Sequence, residues 1–200
     1  MNTDSLSPLF APGTDGAPSG RDSDNASTTG QIGEPRTPKQ QFLDTFEHEH
    51  ATTMRVLNAY PPEKMDLRPH PKSRTARELA WVFVLECGLG EMVFKNEFET
   101  RGRQGSAPEP PESWSDIMTG LEGAHAQYGD LIRSTPDDEL YETVRFFRAP
   151  KTIGDWTRIE WIWFILHDEI HHRGQLSVYL RMAEGKVPSI YGPSGDEPWF

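Results

Sequence analysis

The 200-residue chain has a single cysteine, Cys87, so it can close no internal disulfide and cannot build a zinc site from several thiolates. It has no run of about 18 uninterrupted apolar residues, the length a membrane span needs. Its richest stretch, Leu79 to Phe94, is broken by Glu86 and Glu91. It is also short of cations: 20 Lys and Arg against 31 Asp and Glu leave a formal net charge of -11. That balance argues against non-specific nucleic-acid binding, which needs a basic footprint, and against an anionic membrane surface as partner. The N-terminus lacks the basic and then apolar pattern of a secretory signal and is acidic, unlike a transit peptide, so the expected location is the cytoplasm.

The polar residues are unevenly spread. Residues 1–37 are mostly Ser, Gly, Pro, Asp and Thr, and a segment with so few large apolar side chains cannot offset its ordering entropy. They are expected to form a disordered tail, ahead of one domain over residues 38–200. From Pro38, the spacing of Phe42, Phe46, Thr53 and Leu57 predicts a helix ending near Tyr60, where Pro61-Pro62 cannot continue it. A second helix is predicted from the N-cap Thr75 to about Thr100, and a third from the N-cap Ser113 to about Ser134. A short extended excursion is expected over residues 140–150. A fourth helix should start at about Ile153 or Thr157 and run to Met182, with its first half apolar on nearly all sides and therefore central. Four long helices without an internal repeat define an all-α class and a four-helix bundle, a fold that places metals and cofactors in its core.

The chemistry concentrates on the last helix, in His167-Asp168-Glu169-Ile170-His171-His172-Arg173-Gly174-Gln175. Two pairs one helical turn apart are available there, Asp168 with His172 and His167 with His171, and either pair can reach one cation because its side chains project side by side. The stripe Trp161, Ile165, Asp168, His172, Gln175 and Tyr179 follows alternating spacings of four and three, a bundle seam, and a metal would relieve the cost of a carboxylate there. The stripe through His167 and His171 is not clearly solvent-facing, so spacing leaves both pairs open.

Three segments resemble the DinB-like family of four-helix bundles. They are Thr53 to Pro61 with Asp66 to Ser73; Ala76-Arg77-Glu78-Leu79-Ala80; and His171-His172-Arg173-Gly174-Gln175 through Tyr179-Leu180-Arg181, followed by Lys186 to Pro193. The resemblance covers roughly residues 40–195. It implies a homodimer and a divalent metal held by three side chains: a histidine on helix two and two ligands four residues apart on the last helix, here Asp168 and His172. The position that the family pattern gives to the helix-two histidine holds Val82. Glu86, one turn further along the same face, is the expected substitute, with His50 or Glu49 on helix one as alternatives. Imidazole and carboxylate suit Zn, Fe, Ni or Mn about equally. The implied function is a metal-dependent hydrolase or a thiol transferase acting on a small molecule, the latter with a low-molecular-weight thiol, and His171 is the expected catalytic base or a partner that orients a ligand. The alternative is a metal-free, stress-associated bundle that binds a ligand or partner. Of the remaining candidates, Cys87 reads as a small buried hydrophobe, His125 as a surface residue, His70 as a loop residue, and Trp114, Trp156, Trp161 and Trp163 as core. His48 and His50, two residues apart, cannot both point inward.

Overall fold

Three of the four long helices open on the same local device. In Thr37-x-x-Gln40, Thr75-x-x-Glu78 and Thr157-x-x-Glu160, the threonine side chain accepts from the amide three residues on, and that residue's side chain accepts from the threonine amide. Each such capping box satisfies two helix-end donors locally, before any tertiary contact forms. The computed structural model describes residues 35–101 and 107–200. The expected disordered tail therefore lies, as far as residue 34, outside the described residues, as does residues 102–106 of the expected loop.

The order of elements is α1 (Pro38–Ala59), α2 (Ala76–Phe94), a one-turn α3 (Phe98–Arg101), α4 (Trp114–Ser134), β1 (Thr143–Ala149), β2 (Thr152–Thr157) and α5 (Arg158–Met182). Helix α1 stops where Tyr60 turns extended ahead of the proline pair. Helix α2 ends at Phe94, short of the expected Thr100, because Asn96 takes a left-handed conformation (φ 57°), and asparagine accepts this more readily than most residues. Ser113 occupies the cap position of α4, but its hydroxyl bonds Ser115 rather than a helix amide. The extended excursion is larger than expected. It forms an antiparallel hairpin, β1 with β2, so residues 153–157 are strand and α5 begins only after Thr157.

Helix α2 packs between α4 and α5, while α1 packs on α5 and, less extensively, on α4. Trp161 and Ile162 at the start of α5 are fully buried, in keeping with the all-round apolar pattern there. The Trp161 indole donates to the Gly90 carbonyl at 3.0 Å. Gly90 has to be small, since a Cβ there would lie 2.8 Å from the Tyr128 ring. Trp114 and Trp161 are buried, and Trp156 and Trp163 are half-buried against the core. Among the described residues no helix is long and apolar enough to cross a membrane. The segment after α5 runs back along α1, where Arg55 donates to the Ser189 carbonyl and pairs with Glu197.

Candidate metal centre

Helix α2 presents Glu86 to α5, and α5 presents Asp168 and His172, one turn apart, back to α2. One ligand atom from each of the three lies within 4.8 Å of the other two. His172 Nδ1 stands 2.6 Å from Glu86 Oε1 and 3.8 Å from Asp168 Oδ1. The close contact lacks hydrogen-bond geometry: Glu86 Oε1, Glu86 Oε2 and His172 Nδ1 are all buried and without a hydrogen-bond partner. Buried polar atoms are rarely left so, because each unmade bond costs about 1–3 kcal/mol. Two carboxylates and an imidazole aimed at a common point, their buried atoms otherwise unpartnered, fit a divalent cation, and hard oxygen with borderline nitrogen suits Mn, Fe, Ni and Zn alike.

Electrostatics follow the burial. Desolvation pushes the Glu86 carboxyl up to about 7, with Asp168 adding to the rise and His172 opposing it. The Glu86 carboxylate in turn raises His172 above the ordinary imidazole value, against burial and the charge of Arg74. The three residues form part of the wall of a cavity of about 740 Å³, otherwise lined chiefly by apolar groups including Trp81, Val82, Leu85, Leu89 and Met92. That volume falls within the range of about 300–1,000 Å³ usual for small-molecule sites. Val82, one turn before Glu86, lines the same cavity.

The second pair of the last helix lies elsewhere. His167 and His171 are exposed, and His171 Nε2 is 2.8 Å from Gln175 Nε2 on its own helix. His171 is not among the residues lining the cavity, and its ring centroid lies 5.2 Å from that of His172. Neither alternative ligand on helix one reaches the centre. Glu49 is buried and pairs with Arg173 at 2.6 Å. His50 stacks on His125, with ring centroids 3.6 Å apart. His48 is exposed, and His70 is an exposed loop residue whose Nδ1 accepts from the Lys72 amide. Cys87 is buried, and burial pushes its thiol far above the ordinary range.

His125 is not the surface residue expected. It is buried, with its ring clamped between Phe46 and His50 and its Nε2 3.2 Å from Glu47. Burial and the neighbouring His125 lower His50 to about 4, and burial also lowers His125 despite Glu47. Arg133, paired with Glu47, is the other charge at this α1–α4 seam. A histidine whose folded pKa is depressed contributes stability that is fully present above its unfolded value of about 6.5 and lost as pH falls through the window below it. The histidine pair is expected to subtract about 1–2 kcal/mol from the unfolding free energy between pH 7 and pH 4.5, allowing for the solvent reaching a half-buried ring, while the raised carboxyls of Glu86 and Glu169 act in the opposite direction. In urea titrations the difference between His50→Phe and the wild type isolates it: the variant should gain stability relative to the wild type as pH falls, and a pH-independent difference would remove the histidine pair as a cause.

A second buried polar cluster escaped the sequence reading. Arg173, 1% exposed, pairs with the Glu49 carboxylate and also donates to the Glu49 carbonyl, Thr53 Oγ1 and Tyr191 Oη. The Tyr191 hydroxyl donates to Glu49 Oε2, and Thr53 donates to Glu169 Oε1 at 2.7 Å. Glu169, pushed up to about 7 by burial, and Arg173 lie one residue beyond Asp168 and His172, which on a helix is a rotation of about 100°. The cluster thus ties one face of α5 to α1 and thereby sets the roll that turns the neighbouring face, with Asp168 and His172, toward α2. The only sequence hint was the presence of Arg173 within the His-Arg-Gly-Gln segment.

The molecule is thus a helical bundle with a metal-competent side-chain triad beside a small-molecule-sized cavity. The sequence profile of the DinB superfamily matches residues 45–176, and the chain belongs to that superfamily. It is 26% identical over 156 residues to the uncharacterized protein YrdA of Bacillus subtilis, covering 78% of this chain and 89% of that one. A DinB-like protein from Bacillus cereus superposes with a TM-score of 0.60 at 21% identity, over 75% of this chain and 95% of that one. The DinB-like protein YjoA of Bacillus subtilis gives a TM-score of 0.57 at 16% identity, over 73% and 93%. These likenesses bear out the expected family and all-α bundle, to which the hairpin is an addition.

Proposed function

We propose that Glu86, Asp168 and His172 hold one divalent metal ion and that the protein is a metal-dependent enzyme, a hydrolase or a thiol-dependent transferase, acting on a small molecule. The observation that carries this reading is the set of buried, unpartnered donor atoms converging from two helices on the wall of a cavity. Held by Glu86, Asp168 and His172, a divalent ion would supply Lewis acidity to activate water or a thiol near neutral pH. The chain's own part is to position and to exclude water. Val82, Leu85 and Met92 keep the cavity apolar, while Asp168, the most exposed of the three ligands, meets solvent at its edge. Cys87 lines the same cavity but is buried, and burial raises its thiol, so the transferase reading takes its thiol from a separate low-molecular-weight molecule. A homodimer belongs to the same proposal.

The metal-free alternative rests on Val82 standing where the family pattern has histidine, and Glu86 supplies the missing donor. Elemental analysis and calorimetric titration of the stripped chain with Mn²⁺ or Zn²⁺ are expected to give about one ion per chain. His172→Ala should weaken binding by about 100-fold or more while leaving the helical circular dichroism unchanged. No binding by the wild type, or equal binding by the variant, would overturn the assignment.

A further inference from the structure

Every described arginine but Arg74 has a carboxylate within salt-bridge distance, whereas among the described lysines only Lys39 and Lys95 do. Arg74 has none among the described residues. Glu78, four residues on, is taken up by the Thr75 cap and by Arg68. The backbone of Arg74 is fixed on both sides. Its carbonyl accepts from the hydroxyl of Tyr179, a buried residue of α5, at 3.0 Å, and Thr75 next to it starts α2. The amides of Ala76 and Arg77 are spent on the Leu67 and Met65 carbonyls, so the end of α2 itself offers no anion site. The Arg74 side chain, exposed, lines the same cavity as Glu86, Asp168 and His172, and it also borders a neighbouring groove with Lys72 and Gln175. Lys72 too has no acidic partner among the described residues.

We propose that Arg74 is the anion-binding residue of the cavity and selects a small molecule with one anionic group, a carboxylate, phosphate or sulfonate, on an apolar body. The anionic group meets Arg74 and the body lies along Trp81, Leu85 and Met92, which places the rest of the molecule beside the triad. This rests on the reading of the triad as the reaction centre, but the binding preference requires no metal. A guanidinium reads carboxylate and phosphate through paired N–H donors, and such charge-assisted bonds are stronger than neutral ones, so a preference of about tenfold for the anionic ligand is expected.

The test is calorimetry of the full-length chain, as purified and after metal removal, with octanoate and with 1-octanol, which share an apolar body and differ in charge. The wild type should bind octanoate about tenfold or more tightly than octanol in both forms. Arg74→Gln should erase that preference while leaving octanol affinity and metal stoichiometry unchanged, and Leu85→Asn should weaken both ligands. Equal binding of the two by the wild type, an undiminished preference in Arg74→Gln, or loss of metal from that variant would overturn the proposal. So would tighter binding to phosphatidylglycerol vesicles than to free octanoate, which would make the site a reader of lipid surfaces. A wild type that prefers octanoate yet binds no metal would refute the enzymatic reading and leave the role of Arg74 standing.

Discussion

Arg173→Met is expected to lower the unfolding free energy by about 3–5 kcal/mol, the cost of removing one partner of a buried ion pair. The guanidinium is 1% exposed and serves four acceptors, so its loss leaves the Glu49 carboxylate buried with only the Tyr191 hydroxyl. Much of the cost is therefore the stranded charge rather than the lost contact. The double variant Arg173→Met/Glu49→Met should accordingly recover most of the stability, since hydrophobic replacement of a whole buried pair is often neutral or better. Urea unfolding of the wild type, both single variants and the double variant gives the coupling as a double-mutant cycle. A double variant no more stable than Arg173→Met would show that packing of the arginine stem, not charge compensation, holds this seam. Because the cluster sets the roll of α5, metal affinity should fall in Arg173→Met although the residue touches none of the three ligand side chains.

The features that could be read beforehand are those written within a few neighbouring residues. Thr75 with Glu78 specifies the start of α2 through a capping box, and Pro61-Pro62 specify the end of α1. Asp168 and His172 are four apart on one helix, but so are His167 and His171, and spacing alone leaves both pairs open; the packing of α5 on α2 separates them. Glu86 could be named only through the family resemblance, which places a helix-two ligand at Val82, one turn away on the same face. What stayed hidden depends on chain segments far apart. The partners of Arg173 are Glu49, Thr53 and Tyr191, and nothing near any of the four encodes the others. His125 looks like a surface residue among Gly123, Ala126 and Gln127, yet α1 brings Phe46 and His50 onto both faces of its ring. The hairpin was legible only as an extended tendency, because its pairing is a relation between two strands and residues 153–157 could also have begun a helix.

Moving the third ligand by one turn of α2 is expected to preserve the centre. Glu86→Ala should weaken divalent-metal binding by about 100-fold or more, because it leaves two protein ligands from a single helix. The loss cannot be ascribed to misfolding if the metal-free variant is as stable as the wild type. That stability is itself expected, since losing the 2.6 Å contact with His172 is offset by relieving the cost of a buried carboxylate. Restoring a donor at the position where the family pattern has histidine, in Glu86→Ala/Val82→His, should recover most of the affinity. Val82 lies on the same face of α2 and on the same cavity wall, so an imidazole there extends toward Asp168 and His172 rather than into the core. With two imidazoles and one carboxylate, the double variant should also shift preference from manganese toward zinc and nickel, following the ligand change from oxygen to nitrogen. Calorimetry with Mn²⁺ and Zn²⁺ on all three proteins reads both effects. If Glu86→Ala binds metal as tightly as the wild type, Glu86 is a buried neighbour of His172 rather than a ligand. If the double variant fails to recover while remaining folded, the position of Val82 points away from the centre, and the valine there is a change of geometry rather than an exchange of donors.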